Sequence, residues 1–141
     1  IKVKVWGNGW EGHINKHPNL DIEMKYLYND EYSKAISGSK INLNFLRKMN
    51  RDTITSRSIE IPASKGFMLA ERTDSQKEIF IEGVEADYFS SDEELLKKIK
   101  FYLANDAKRI KVADNGFVKC INSKISIKDV ANKVIDIASS N

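Results

Sequence analysis

The chain has 141 residues, of which 41% are hydrophobic and 30% charged, and its formal net charge is +3. This length fits one domain with a real core, and the interleaving of the two charge signs argues against a dedicated nucleic-acid binder. A single cysteine, Cys120, excludes an intrachain disulfide and an all-cysteine zinc site, and no apolar run approaches the ~20 residues of a membrane span.

Strand patterns and helix patterns alternate along the chain. Strands are predicted from apolar–polar alternation or short apolar runs, and helices from apolar residues at helical spacing. The clearest helix begins at Ser91, where Ser91-Asp92-Glu93-Glu94 forms a capping box. The predicted elements are a strand over residues 1–6, a helix over 29–37, a strand over 41–46, a short helix over 58–65, a strand over 67–70, a helical turn or two over 75–80, a strand over 84–89, and helices that begin at Ser91, at Asn105 or Asp106, and at Ser126.

Proline and glycine add three expectations. Residues 8–20 are predicted to be loop. Pro62 is expected only in the first turn of its helix. The pair Asn115-Gly116 is expected to break the helix that begins at residue 105 or 106.

This alternation predicts an α/β fold, built of βαβ units, with a parallel sheet and helices on its faces. Ligands of such sheets bind beyond the carboxyl ends of the strands. We therefore expect a binding site in the loops that follow residues 6, 46, 70 and 89.

The loop after the second predicted strand, residues 47–58, has the composition of an anion site. It holds three arginines, one lysine and four hydroxyl residues, and it leads into a helix start. Arginines and helix N-termini both favour phosphate. The Glu60 carboxylate would repel phosphate, so its presence here suggests another role, such as accepting hydrogen bonds from the two hydroxyls of a ribose. The combination suggests a nucleotide diphosphate site. The alternative is a solvated loop in which Asp52 and Glu60 form surface ion pairs with arginines, each worth about 0–1 kcal/mol.

Several blocks in this region resemble one known family, in the same order. They are residues 39–47 (SKINLNFLR), 57–63 (RSIEIPA), 66–71 (GFMLAE), 80–85 (FIEGVE), 88–95 (YFSSDEEL) and 98–106 (KIKFYLAND). Over residues 28–118 the chain resembles the C-terminal domain of group 1 glycosyltransferases, most closely the CgeB-like, spore-maturation branch. The resemblance implies a GT-B enzyme, in which two Rossmann-like domains face each other across a cleft. Residues 1–141 would form one of them, the single Rossmann-like domain that binds the nucleotide-sugar donor.

The resemblance also assigns roles to individual residues. The family carries two acids eight positions apart, and Glu60 matches the second, which binds the nucleotide ribose. Asp52 matches the first, which faces the donor sugar and supports the departing diphosphate, although it is Asp rather than Glu. Lys65 stands where many relatives have glycine for a close backbone approach. The further substrate-binding candidates, with the backbone of residues 55–58 near the diphosphate, are Arg51, Thr55, Ser56 and Arg57.

The implied reaction moves a sugar from a nucleoside diphosphate to an acceptor hydroxyl with retention at the anomeric carbon. Electrostatic help to the leaving diphosphate would be the main catalytic term. No metal or other cofactor is expected. The expected partners are the nucleoside diphosphate sugar and the N-terminal domain of the same full-length protein. No nucleic-acid partner is expected. A cytoplasmic location is expected, and the full-length enzyme could associate peripherally with a membrane. Because the chain opens in a strand pattern without Met, we expect a fragment of a longer protein. The resemblance implies that this fragment lacks the acceptor domain and does not catalyse transfer alone.

Two other functions stay open at this point. A non-catalytic Rossmann-like module that binds a nucleotide or a protein is favoured by Asp at position 52 and by Lys65. A phosphoacceptor receiver domain ranks last, because residues 7–9 supply no acidic cluster after the first strand.

Two further features are interpreted as structural. The segment with Glu11, His13 and His17 is expected to be ordinary loop rather than a metal site. Cys120 is expected to be a small core residue rather than a nucleophile.

Overall fold

The computed structural model describes residues 1–123 and 135–136. Contacts divide the chain into two compact units, Ile1–Ala35 and Ile36–Asn141, and each is described by itself. The helix predicted from Ser126 begins outside the described residues. The single domain predicted over residues 1–141 stays a prediction.

The first unit is built on two parallel strands, β1 (Val3–Trp6) and β2 (Leu20–Glu23), with a 3₁₀ turn over Glu11–His13 between them. Val3 lies opposite Leu20 in the register. The pair is reinforced at its far end, where the Trp6 indole donates to Glu23 Oε2 at 3.0 Å. β1 was predicted and β2 was missed, because it begins at the end of the predicted loop and depends on β1 for its pairing.

The second unit holds a three-stranded parallel sheet in the order β3 (Asn42–Asn44), β4 (Met68–Glu71), β5 (Asp87–Phe89), with Asn44 opposite Ala70 and Glu71 opposite Phe89. This confirms the predicted α/β fold with a parallel sheet. Helix α1 begins in the first unit and ends in the second. The elements, in chain order, are α1 (Asn29–Gly38), β3 (Asn42–Asn44), α2 (Arg57–Ala63), β4 (Met68–Glu71), α3 (Asp74–Ile79), β5 (Asp87–Phe89), α4 (Asp92–Ala104) and α5 (Asp106–Asn122).

The central strand β4 lies at the heart of this unit. Met68, Leu69 and Ala70 are almost completely buried, as expected for a parallel strand covered on both faces. The surrounding core draws on β5, α4 and α5, and the rings of Phe67 and Tyr102 lie 4.3 Å apart. The buried core cluster comprises Phe67, Leu69, Phe89, Tyr102, Val112 and Ala113.

The predicted strands were too long at the edges of this sheet. Residues 41–46 yield only Asn42–Asn44, and residues 84–89 yield only Asp87–Phe89. Before β5 the chain makes a turn in which the Gly83 amide donates to the Ala86 carbonyl at 2.7 Å. Alternation in the sequence continues through this turn, so it could not show where strand pairing begins.

Strand β3 ends the sheet on one side, since β4 is its one neighbour among the described residues. The Asn42 amide donates to the Phe67 carbonyl at 2.9 Å, so Asn42 faces β4 with its backbone polar groups. Because these groups alternate along a strand, the N–H and C=O of Leu43 face away from β4.

The expected break at Asn115-Gly116 is wrong, because α5 runs unbroken from Asp106 to Asn122. Gly116 is buried, and a Cβ added there would overlap the Glu85 carbonyl oxygen and lie 3.3 Å from Pro62 Cβ. The side-chain Nδ2 of Asn115 donates to the Val84 carbonyl at 3.0 Å. This Asn-Gly pair therefore packs α5 against the turn before β5 rather than ending the helix.

The expected position of Pro62 is also wrong. It is buried at the sixth position of the seven-residue helix α2, not in its first turn. A proline here forgoes one bond to a preceding carbonyl, and the helix ends directly afterwards, where Gly66 N donates to the Ile61 carbonyl at 3.0 Å. Lys65 adopts φ 59° in this end turn. A left-handed backbone is most easily adopted by glycine, so a lysine here is strained.

Candidate functional site

A pocket of about 360 Å³ opens at the carboxyl edge of the three-stranded sheet. Each strand end contributes to its wall: residues 71–73 follow from β4 and residues 89–92 lead from β5 into α4. The segment after β3 adds Leu46, Lys48 and Asp52. The pocket therefore lies where ligands of parallel sheets bind, at three of the four strand ends singled out from the sequence.

The segment after β3, residues 45–56, is tied to the strand ends by side chains. The Leu46 amide donates to Glu71 Oε2 at 2.7 Å. The Thr73 hydroxyl donates to the Thr53 carbonyl at 2.6 Å. A 3₁₀ turn over Lys48–Asn50 lies between these two points. The path of this predicted loop is thus defined by specific hydrogen bonds.

The structure places the predicted acid Asp52 in the pocket wall, half-buried and near Lys48. Its neighbour Arg51 is exposed and holds a left-handed backbone, with φ 53°. The Asp52 amide donates to the Arg47 carbonyl at 3.4 Å, which closes the turn. The pocket wall also includes the acids Glu71 and Asp92, so its polar lining combines three acids with two basic residues and three hydroxyl residues.

The other predicted residues lie beyond the pocket wall, around the start of α2. Thr55 is half-buried, and its hydroxyl donates to Asn44 Oδ1 at 3.4 Å. Ser56, Arg57 and Glu60 are exposed. The structure therefore groups Asp52 with the pocket and the remaining candidates with the adjacent α2 surface.

The first turn of α2 already uses most of its amides. Ser58 N donates to the Thr55 carbonyl at 3.0 Å, while Ile59 N and Glu60 N donate to the Ser56 carbonyl at 3.0 and 2.9 Å. The Thr55 amide donates to Ser58 Oγ at 3.3 Å. Any anion held here would draw mainly on the Arg57 side chain rather than on free helix-start amides.

A cluster of charged side chains beside the pocket was not predicted from the sequence. Arg72 lies in the pocket wall and forms ion pairs with two carboxylates. Its Nη2 lies 2.6 Å from Glu94 Oε1 and 2.5 Å from Glu82 Oε1. Lys98 Nζ lies 2.7 Å from Asp87 Oδ1 and 3.2 Å from Glu94 Oε1. The Glu94–Lys98 spacing was the one visible signal. Arg72 is thus neutralised by its neighbours, and it joins the end of β4 to the start of α4.

This cluster makes the free energy of unfolding depend on pH. The hydrogen bond from Arg72 lowers the pKa of the Glu94 carboxyl to about 2. A lowered folded-state pKa contributes stability above the unfolded value near 4.5, and that contribution is lost as pH falls from there toward 2. Glu94→Gln should therefore lower the free energy of unfolding by about 1 kcal/mol at pH 7 and flatten its decline below pH 4.5. Urea unfolding at a series of pH values measures both effects.

Asp92→Asn is the matched control, because Asp92 is an exposed acid in the same helical turn. This variant should keep the wild-type slope of stability against pH below 4.5. Parallel curves for wild type and Glu94→Gln would show that the Arg72–Glu94 pair does not control the acid transition.

Other candidate groups have ordinary surroundings. Among residues 1–123 and 135–136, no three His, Cys, Asp or Glu side chains form a group that could hold a metal ion. The Cys120 thiol lies 4.0 Å from the Ile59 carbonyl, and burial raises its pKa to about 11. Such a thiol is protonated at neutral pH and is a poor nucleophile. In the part of the chain that is described, no helix combines the length and apolarity needed to span a bilayer.

Comparison with known proteins decides the family. A model of the family described as "Glycosyl transferase-like" matches residues 1–136. This chain belongs to that glycosyltransferase-like family. Among curated proteins, none matches the chain.

The fold of this glycosyltransferase-like chain also resembles a solved structure. That structure, at 1.35 Å, is the C-terminal domain of a glycosyl transferase group 1 family protein (LpcC) from Francisella tularensis, with 15% identity and a TM-score of 0.57. The match covers 77% of this chain and 55% of the other, so the chain spans about half the length of that relative. The predicted Rossmann-like fold, shared with that C-terminal domain, is thereby confirmed, as is membership of the glycosyltransferase-like family.

Proposed function

We propose that this chain is the donor-binding domain of a glycosyltransferase that moves a sugar from a nucleoside diphosphate to an acceptor hydroxyl. In this proposal Glu60 binds the ribose hydroxyls, and Arg57 lies near the diphosphate with residues 55–56 and Arg51. Asp52 faces the donor sugar and supports departure of the diphosphate. Retention at the anomeric carbon, the CgeB-like branch and an N-terminal acceptor domain as partner belong to the same proposal.

One observation carries the assignment: residues 51–60, which include all these side chains, lie between β3 and the first turns of α2, and Asp52 lines the pocket at the carboxyl edge of the sheet. Arg57 and Glu60 are exposed next to it, on the first turns of α2. A bound nucleotide can therefore reach them from solvent while its sugar enters the pocket.

The chemistry of the two areas supports this division. The pocket wall contains three acids, Asp52, Glu71 and Asp92, and one lysine, Lys48. The guanidinium of Arg72 is paired with Glu82 and Glu94. Carboxylates accept hydrogen bonds from sugar hydroxyls, and they repel phosphate. The exposed arginines outside the pocket provide charge-assisted donors for the diphosphate.

Nucleotide titration tests the proposal on the chain itself. UDP, GDP and ADP are titrated by calorimetry, and one of them should bind measurably. Glu60→Gln should weaken that binding about ten- to hundredfold, because the variant loses charge-assisted hydrogen bonds to two ribose hydroxyls. Glu78→Gln, an exposed acid on α3, is the control and should bind like wild type.

Two results would count against the proposal. A folded chain that binds none of the three nucleotides would contradict donor binding by this domain. Equal affinities for wild type and Glu60→Gln would remove Glu60 from the site and favour a module that recognises its ligand in another way.

A further inference from the structure

A buried amide side chain stands behind the segment that carries the proposed site. Asn44 is the last residue of β3, and its exposed fraction is 0%. Its Nδ2 donates to Ser58 Oγ at 3.0 Å, and its Oδ1 accepts from the Thr55 hydroxyl at 3.4 Å. Ser58 is itself buried and accepts the Thr55 amide. Asn44 thus ties the end of a strand to the start of α2.

This tie is one of three that hold the segment after β3. Glu71 fixes its beginning through the Leu46 amide, and Thr73 fixes its middle through the Thr53 carbonyl. Asn44 fixes its end, at Thr55. The segment is therefore anchored at three points by side chains from β3 and from the end of β4.

We infer that Asn44 is a positioning residue for the proposed donor site, a role that rests on the function proposed above. A buried side amide is costly unless it is hydrogen-bonded, and both of its partners lie in the stretch Thr55–Ser58. Its bonds fix where Thr55, Ser56 and Arg57 stand relative to the pocket. When a loop is already ordered before the ligand binds, less binding free energy is lost in ordering it, and the affinity is higher.

Asn44 is the informative anchor because it cannot touch a ligand. Glu71 and Thr73 line the pocket, so replacing either one could remove a contact to the ligand as well as an anchor. Asn44 is completely buried and lies outside the pocket wall. Any effect of Asn44 on nucleotide affinity must therefore act through the loop.

The strand offers a matched control two residues earlier. Asn42 also makes side-chain hydrogen bonds within the fold, donating from Nδ2 to the carbonyls of Ile36 and Phe67 at 3.2 and 3.3 Å. These partners lie at the amino end of β3, away from the pocket edge. Asn42→Ala and Asn44→Ala remove the same atoms from the same strand at its two ends.

The experiment compares wild type, Asn44→Ala, Asn42→Ala and the milder variant Ser58→Ala. Calorimetry measures the Kd for UDP, GDP and ADP at a temperature where melting curves show each variant folded. NMR hydrogen exchange measures protection of the Thr55 amide without any nucleotide. Asn44→Ala and Ser58→Ala should each weaken nucleotide binding by about five- to tenfold and speed exchange at Thr55 by a similar factor. Asn42→Ala should lower Tm and leave both quantities within about twofold of wild type.

The two readouts separate this inference from the proposed function. Wild-type chain that binds no nucleotide overturns the proposed function, and the exchange data alone then decide whether Asn44 orders the loop. Unchanged exchange at Thr55 in Asn44→Ala and Ser58→Ala overturns the positioning role. It is equally overturned if wild type binds a nucleotide and both variants bind it with the same Kd, or if Asn42→Ala weakens binding as much as Asn44→Ala.

Discussion

Lys98→Met is expected to lower the free energy of unfolding by about 3 kcal/mol, because it leaves a buried carboxylate without its counter-charge. The Asp87 side chain is only 8% exposed, and Lys98 Nζ lies 2.7 Å from its Oδ1. The Tyr102 hydroxyl and the Tyr88 amide also donate to Asp87, at 2.7 and 2.8 Å. These donors satisfy its lone pairs but carry no positive charge. Urea denaturation with two spectroscopic probes measures the loss.

The neighbouring lysine provides the control for this prediction. Lys97 is exposed on the same helix, so Lys97→Met makes the same chemical change at a solvated site and should shift stability by less than about 0.5 kcal/mol. The double variant Asp87→Asn/Lys98→Met should recover part of the loss, since a neutral amide needs no counter-charge. Equal stabilities of the two single lysine variants would mean that the Lys98–Asp87 pair contributes nothing to the fold.

Gly116→Ala is expected to destabilise the chain by about 1–3 kcal/mol, the opposite of what helix propensity predicts. Alanine in a helix interior is favoured over glycine by about 1 kcal/mol. A Cβ at this position, however, overlaps the carbonyl oxygen of Glu85, and backbone there cannot move without shifting the turn before β5. Steric overlap in a packed interior therefore outweighs the propensity gain. Thermal and urea unfolding provide the measurement.

Gly38→Ala is the comparison for that variant. Gly38 ends α1, and a Cβ there would meet no atom within 4 Å. This substitution should leave stability unchanged or raise it slightly. A Gly116→Ala chain more stable than wild type would show that α5 can retreat from the turn at little cost.

Local chemistry explains the elements that the sequence predicts well. Ser91 caps α4 as expected, and its hydroxyl accepts the Glu94 amide at 3.2 Å. The apolar run from Phe67 to Ala70 becomes the buried centre of the sheet. In both cases the determining residues are neighbours in the chain, so the pattern is readable without knowledge of the rest of the fold.

Elements decided by distant partners were missed or misjudged. β2 is four residues long and is paired by β1, from which it is separated by a loop. Gly116 was interpreted as a helix breaker, whereas glycine is needed there because the Glu85 backbone leaves no room for a Cβ. Arg72 donates hydrogen bonds to Glu82 and Glu94, which are ten and twenty-two residues away in the chain. No spacing rule within one helix or strand could connect these groups.

The candidate site divides in the same way. Its place at the carboxyl edge of a parallel sheet followed from the order of strands, and Asp52 lines the pocket at that edge. The roles of Asp52, Arg57 and Glu60 toward a donor stay predictions. The anchors Asn44 and Glu71 could not be foreseen, because their partners are defined only once β3, β4 and the following loops are brought together.

The outward-facing backbone of β3 has a consequence for work with this chain. Among the described residues β4 is the one strand beside β3, and Leu43 directs its N–H and C=O away from β4. An unpaired strand border of this kind is a template on which a further polypeptide segment can add by main-chain hydrogen bonding. Among the described residues both β3 and β5 are border strands, so measurements of stability and affinity should be repeated over a series of protein concentrations to detect strand addition between copies.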